Sequence, residues 1–291
     1  MIKIVGDTTS TISLEEARAL DIAYIPQIIH FGEQSYQDAY ELDMPTFMAK
    51  FRSSKEGPKT AAPPPPLYYP VYEEFGGPGN TIFVIAPSIE LSGTVRSAQS
   101  AAEQFPQADI RIIDTRTVGA PLGSIVRQAV KWARQGIDAD TLEQNVREMM
   151  ARQRFYAVLP TLEYLRRGGR LGNAQALAGS VLQIKPILAV SNGVVESYEV
   201  QRTWKRAEER LKEIVVEQCP PSEDAFLTIQ HGDSLAEARA FAEDVRQRLG
   251  LAKVDVVDIP PVMVVYTGQG IIGPSFFVAG GSAPAPSKAA S

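Results

Sequence analysis

The chain is poor in the side chains that most often build covalent or metal chemistry. It has a single cysteine, Cys219, and two histidines, His30 and His231. One thiol excludes a disulfide framework, and two separated histidines with no second cysteine supply no zinc site. Cys219 stands in the loop-like run Cys219-Pro220-Pro221 and reads as a small, partly buried residue. Positive charge is not in excess: 29 Lys and Arg against 34 Asp and Glu give a formal net charge of −5, which argues against an extended nucleic-acid footprint. No run of about 18 apolar residues occurs. The C-terminal hydrophobic region is broken by Gly268, Gly270, Gly273 and Pro274. Met1 leads directly into a strand-like Ile2-Lys3-Ile4-Val5, with no signal-peptide pattern, so a soluble intracellular protein is expected. Neither a Gly-x-x-x-x-Gly-Lys nor a Gly-x-Gly-x-x-Gly run is present, which makes nucleotide binding a poor reading.

What is present is an ordinary globular composition, 44% hydrophobic and 22% charged over 291 residues, enough for two domains. The first part alternates apolar runs with helix-like segments. Ile2–Val5 reads as a strand and Ser13 as the cap of a helix with Glu15 and Glu16 in its first turn. Residues 23–31 read as one strand, 44–52 as a short helix, and Pro63–Pro66 as a rigid polyproline connector. Thr81–Ala86 is a buried-type strand, 93–104 a small-residue helix, and 110–114 the next strand. Helices follow over 121–135 and, capped by Asp138, 140–153. Strand–helix–strand at this spacing implies a parallel sheet with helices on both faces, a three-layer α/β domain over 1–153. From 154 to 279 the texture changes. Strand 155–159, helix 161–167, a hairpin around Ser191-Asn192-Gly193, helices 203–217 and 235–249 and strands 225–230 and 254–259 suggest an α+β domain. Residues 280–291 are small and polar and are expected to be a disordered tail.

Two polar turns stand where strands should end. Asp7-Thr8-Thr9-Ser10 follows the first strand, and Ser92-Gly93-Thr94 opens the helix after the strongest one. At adjacent strand ends they would face one crevice, where parallel sheets bind ligands. A hydroxyl such as Ser92 either caps the helix and nothing more, or shares the helix N-terminus with an anion. As a nucleophile Ser92 would need a base, and the two histidines offer none paired with it; no Gly-x-Ser-x-Gly elbow is present. Arg166-Arg167-Gly168-Gly169-Arg170 reads as a helix C-cap. Its cation density, with Arg202, Lys205 and Arg206, suits an anionic ligand or an acidic partner.

In order and spacing, the chain resembles the DegV family. The markers are Asp7-Thr8-Thr9-Ser10, Thr60 before the prolines, Leu91-Ser92-Gly93-Thr94, Ile113-Asp114-Thr115, Leu162-Glu163-Tyr164-Leu165-Arg166-Arg167-Gly168-Gly169-Arg170, Ile184-Lys185-Pro186-Ile187-Leu188, Asn192-Gly193, and Arg202 with Lys205, spread over residues 2–278. The resemblance implies a cytoplasmic bacterial fatty acid-binding protein without catalysis, cofactor or metal, in many bacteria the binding subunit of a fatty acid kinase. It implies two domains with the acyl chain buried between them and the carboxylate at Thr60, Ser92, Gly93, Thr94 and Tyr266. It also implies that Arg170 and Arg202 face a kinase, which makes an acyl-phosphate for phospholipid synthesis, and it allows transient membrane contact. Two departures stand out. The family's Thr-Ser-Gln-Pro is here Thr60-Ala61-Ala62-Pro63, and its His-Val-Gly-Pro-Gly is here Tyr266-Thr267-Gly268-Gln269-Gly270. Binding tolerates both; handover to a kinase is where they bear. A sixteen-carbon tail would contribute about 12 kcal/mol before association costs, so the head group need only be satisfied. Ile271, Ile272 and Phe276, beside Gly268, Gly270 and Gly273, would either line the acyl chain or form tight core packing. The rival readings are a Ser92-dependent hydrolase or phosphotransferase, and a lipid sensor with no kinase.

Overall fold

In the first unit a parallel sheet forms because its central strands are buried on both faces. The computed structural model describes residues 1–54, 56–172, 174 and 184–280. Of the expected tail, residues 280–291, all but Gly280 lie outside the described residues. Strands β1 (Ile2–Asp7), β2 (Ala23–Ile25), β6 (Thr81–Ala86) and β7 (Asp109–Asp114) pair throughout in parallel, in the order β2-β1-β6-β7. Residues 1–150 and 260–265 form this unit; 151–259 and the chain from 266 form the second. A contiguous division near 153 was expected, and the segment 260–265 departs from it.

Side chains alternate across the sheet. Val5, Ile82, Val84 and Ala86 share a core with α3 (Tyr69–Phe75) and α4 (Thr94–Ala102), through Tyr68, Val71, Tyr72, Val95, Ala98 and Ala101. Ile4, Phe83 and Ile85, buried on the other face, lie on the side of α5 (Ala120–Arg134), whose Val126 reaches within 3.6 Å of a Cβ built on Gly6. Full burial of side chains this size is worth about 1.5–3 kcal/mol each. The three layers expected from the strand–helix alternation are therefore present. Helix α1 (Leu14–Ala19) is capped by Ser13, whose hydroxyl accepts from Glu16 N at 3.0 Å. Helix α6 (Ala139–Arg152) is held at its start by Asp138, which accepts from Thr141 N at 2.9 Å.

Two local expectations fail, each for a physical reason. Residues 23–31 are not one strand. After β2, Pro26 has no N–H for a ladder, and the chain leaves the main sheet. It forms β3 (Ile28–Phe31), which joins β4 (Gln34–Gln37) and β5 (Lys59–Ala61) in a separate antiparallel sheet of order β4-β3-β5. The short helix expected near residue 44 is α2 (Met44–Ser53). The prolines are not only a connector: Pro65–Leu67 form a 3-10 turn that leads into α3. Proline is compatible with a helix start, and Tyr68, Val71, Tyr72 and Phe75 carry a helical apolar spacing behind it.

The second unit is built on a six-stranded mixed sheet, order β10-β9-β8-β13-β11-β12. Its elements are β8 (Gln153–Val158), α7 (Glu163–Arg167), β9 (Lys185–Ser191), β10 (Val194–Gln201), α8 (Trp204–Gln218), β11 (Thr228–His231), α9 (Leu235–Leu249), β12 (Asp255–Asp258) and β13 (Ile272–Phe277). Helix α10 (Pro261–Thr267) runs from the first unit's segment into the second's. The β9–β10 hairpin turns on Asn192 and Gly193, both with positive φ, as a two-residue primed turn requires. One core joins Tyr156, Ile187, Leu211, Ile214, Ile229, Phe241 and Val245 with Ile272 and Phe276. Ile272 and Phe276 thus pack into the sheet's helix-covered face. On β13 the pairing with β8 is recorded at Ile272 and again from Ser275 onward, skipping Gly273 and Pro274. The register is the same on either side of that gap, and Gly273 and Pro274 stand opposite Gln230 and Ile229 of β11.

Candidate functional site

The order β2-β1-β6-β7 reverses direction between β1 and β6, because the chain steps outward one way from β1 and the other way from β6. The crevice beyond the carboxyl ends at such a switch point is where open parallel sheets bind ligands. Both polar turns singled out in the sequence lie there. Asp7 ends β1 and Thr8–Ser10 form a 3-10 turn behind it; Ala86 ends β6, and the chain loops through Ser92 into α4.

The first turn is rigid. Asp7 Oδ1 accepts from Thr9 N at 2.9 Å and from the Thr9 hydroxyl at 2.5 Å, and the Ser10 hydroxyl donates to the Asp7 carbonyl at 2.7 Å. The second is fixed by its backbone: Ser92 N donates to the Ser88 carbonyl at 2.9 Å, and Ser88 N to the Thr117 carbonyl at 2.8 Å. The N-cap of α4 is Gly93, not Ser92. Ser92 instead accepts from Thr94 N at 3.3 Å and shares a 2.8 Å hydroxyl–hydroxyl bond with Thr94.

One residue joins the two turns, and no sequence pattern points to it. Gln27, between β2 and β3, donates from Nε2 to Asp7 Oδ2 at 2.8 Å and to Thr94 Oγ1 at 2.8 Å. Its backbone is held on both sides, by N–H donation to Thr8 Oγ1 at 3.0 Å and by acceptance from Asp38 N at 2.9 Å. The surroundings are dry. Burial pushes Asp7 up from 3.8 to about 6 and Asp38 up to about 7. Tyr24 is driven above its ordinary value first by the same burial, although its hydroxyl donates to the Ile12 carbonyl at 2.7 Å.

Thr60 stands in β5 opposite Ile29 of β3. Two residues on, Ala62 lies so close to Gly93 that a Cβ built there would come within 3.1 Å of its methyl. The Ser97 hydroxyl donates to the Pro63 carbonyl. These contacts bring Ala62 and Pro63 against the start of α4. Among the described residues, Ser92 Oγ bonds to Thr94 alone and meets no histidine or carboxylate that could serve as its base. His30 bonds to the Ser35 hydroxyl at 2.8 Å.

The remaining site residues belong to the second unit. The Tyr266 ring packs on Gly168, where a Cβ would fall 2.3 Å from Cδ1, and the Arg170 guanidinium lies 4.9 Å over the ring centroid. Arg170 also donates to the Gly168 carbonyl at 2.5 Å. The cationic turn is less bare than its sequence suggests, since Arg166 and Arg167 both bond to Glu163 at 2.8 Å. Arg202, Lys205 and Arg206 form no ion pair among the described residues, and they surround the start of α8, whose first turn has no acid. Ile271 is buried, its carbonyl accepting from Gly232 N at 3.3 Å. His231 ends β11 with Nδ1 3.3 Å from Asp258, and burial lowers its pKa. Cys219 is buried and its thiol is pushed up to about 12, which leaves it unreactive. Among the described residues no group of three or more His, Cys, Asp or Glu is placed to hold a metal, and no helix is long and apolar enough to cross a membrane.

A profile of the DegV family, described as uncharacterised proteins, matches residues 1–279. The chain belongs to the DegV family. A DegV domain-containing protein of Halalkalibacterium halodurans is 30% identical over 278 residues, covering 95% of this chain and 98% of that one. Among solved structures, DegV of Bacillus subtilis, a fatty acid binding protein, superposes with a TM-score of 0.85 at 27% identity, covering 96% of this chain and 99% of the other. A DegV family protein from Thermus thermophilus, described for its fatty acid binding, gives 0.84 at 26% identity with the same coverage. The DegV relatives thus share the α/β architecture along nearly the whole chain, including both units.

Proposed function

We propose that this protein binds a long-chain fatty acid and holds its carboxylate at the switch point of the first unit's sheet. The observation that carries the reading is Ser92: a hydroxyl in the loop between β6 and α4, fixed by Thr94, unengaged by any base among the described residues, and next to Gly93, against which the segment following Thr60 packs. It stands in a chain whose structural relatives in two bacteria bind fatty acids. Ser92 and Thr60 donate to the two carboxylate oxygens, while Gly93 lets the 60–63 segment close on the start of α4 and Thr94 holds Ser92. Tyr266 carries a phenol where the family pattern has an imidazole. Neutral donors leave the carboxylate's electron density freer for attack than a bidentate arginine clamp, which would hold both oxygens in charge-assisted bonds. The tail contributes the affinity by burial. Ile272 and Phe276 are used in the second unit's core, so the lining role falls to other side chains.

In this reading the protein works in the cytoplasm and presents the carboxylate to a fatty acid kinase. A carboxylate oxygen attacks the γ-phosphorus of ATP, the bond to the ADP oxygen breaks, and an acyl-phosphate leaves for phospholipid synthesis. Arg202, which forms no ion pair among the described residues, and Arg170 beside Tyr266 face that partner.

Mass spectrometry of the gently denatured, natively purified protein tests the ligand: one stoichiometric fatty acid is expected, and an empty protein that takes up no oleate overturns the reading. Hydrogen bonds to a charged group are worth about 1.5–3 kcal/mol, so Ser92→Ala and Thr60→Ala each weaken oleate binding by about 10- to 100-fold. Mixing with a fatty acid kinase, ATP and oleate tests the handover. Absence of acyl-phosphate would leave a lipid carrier or sensor.

A further inference from the structure

We infer that Gln27 is a positioning residue that sets the direction of the hydrogen-bond chain Asp7–Gln27–Thr94–Ser92, so that Ser92 offers its proton outward and the site selects ligand oxygens that accept. This rests on the fatty acid reading and deepens it by assigning the selectivity of the head-group site to a residue that touches no ligand.

The direction follows from counting protons. Asp7 Oδ1 is occupied by the N–H and hydroxyl of Thr9, and Oδ2 by Gln27 Nε2. An ionised carboxylate only accepts, so the Gln27 amide must turn its NH2 toward Asp7. Its second N–H then points to Thr94 Oγ1 at 2.8 Å. Thr94 is buried, and of the two acceptors its hydroxyl proton can reach among the described residues, Ser92 Oγ at 2.8 Å is the one in close hydrogen-bond geometry. The Asp7 carboxylate feels the same hydroxyl only as the weakest of its partners. Ser92 therefore accepts from both the hydroxyl and the N–H of Thr94, which fills its two lone pairs. Only its own proton remains, and no described residue takes it. A carboxylate is the ligand group that answers such a donor; a ligand hydroxyl that must itself donate finds no acceptor at Ser92. Gln27 can hold this polarity because its backbone is pinned at N–H and C=O, independently of its side chain. Neither Ala61 nor Ala62, in the segment beside Gly93, has an amide to do so.

The double substitution Asp7→Asn with Gln27→Glu reverses the chain while keeping its length and its single carboxyl group. The amide introduced at position 7 donates to the carboxylate introduced at position 27. That carboxylate takes the Thr94 hydroxyl proton, and Thr94 in turn accepts the Ser92 proton, which now points inward. Oleate and oleyl alcohol binding are measured by displacement of a fluorescent fatty acid at pH 8, with circular dichroism confirming the fold. The expected result is a loss of at least tenfold for oleate with less than twofold change for the alcohol. A folded variant that retains oleate affinity within twofold, or loses both ligands in parallel, overturns the inference. A wild-type protein that binds neither ligand overturns the fatty acid reading itself. Should the double variant not fold, Gln27→Met keeps the volume and removes the amide. It is expected to shift the oleate-to-alcohol ratio about threefold, and an unchanged ratio overturns the assignment of Gln27.

Discussion

Between pH 4 and pH 8 the first unit is expected to lose several kcal/mol of stability, and Asp38→Asn should remove the larger share of that loss. Asp38 is fully buried, with neither carboxylate oxygen inside hydrogen-bond geometry. Burial raises it from 3.8 to about 7, while the more distant Thr8 hydroxyl and the N–H groups of Val262 and Ala39 hold it down and Asp7 raises it further. An acid raised on folding binds its proton more tightly in the native state. Its favourable contribution is complete below pH about 4 and is lost as pH climbs through about 7. At about 1.4 kcal/mol per pH unit, Asp38 accounts for about 4 kcal/mol. Asp7, raised to about 6, has the same sign and adds about 3 kcal/mol. Urea unfolding at pH 5 and pH 8 measures the slope. A wild-type protein equally stable at both, or an Asp38→Asn variant with an unchanged slope, contradicts it.

Gly123→Ala should be among the most damaging single substitutions, although alanine is the better helix former by about 1 kcal/mol. Gly123 lies in the first turns of α5. There a Cβ would stand 2.1 Å from the Ser10 carbonyl oxygen and 3.2 Å from Thr11 Oγ1. The first clash is with backbone, so no rotamer relieves it; either α5 or the Thr8–Ser10 turn must move. The two are already tied, since Gly119 N donates to the Thr9 carbonyl at 2.9 Å. Overpacking of this kind costs about 1–3 kcal/mol or more, outweighing the propensity gain. A fall in Tm of about 5 °C is expected. Because the turn holds Asp7, oleate affinity should fall with it. A variant with Tm at or above that of the wild type would refute the contact.

Much of the architecture was legible wherever local chemistry and tertiary context agree. Thr81–Ala86 and Leu235–Leu249 lie where their apolar patterns place them, Ser13 and Asp138 cap their helices, and Asn192-Gly193 turns the hairpin. The misses occur where a local rule is overridden. Pro26 splits an apolar run between two sheets, and the proline run disguises α3 behind residues that usually end helices. Gly273 and Pro274 hide β13, an interior strand whose ladder to β8 lacks pairs at those two residues. At the site, the two polar turns could be found from sequence because they follow strong strands. Gln27 and Asp38 could not: Gln27 is a lone polar residue in an apolar run and Asp38 sits in a polar stretch, and only the fold reveals that both are buried against Thr8 and Asp7.

The discontinuous first unit has a consequence for biogenesis. Pro260–Val265 complete a body whose other residues end at Met150, and Val262 contributes an N–H toward Asp38. At about 5–20 residues per second, a ribosome that has released residue 150 needs on the order of ten seconds to deliver the missing segment. During that interval the nascent N-terminal half is unfinished, with Asp38 lacking a neighbour it has at maturity. A truncation after residue 150 leaves the chain in that state permanently, and such a fragment should be recovered from cells only in aggregated or degraded form.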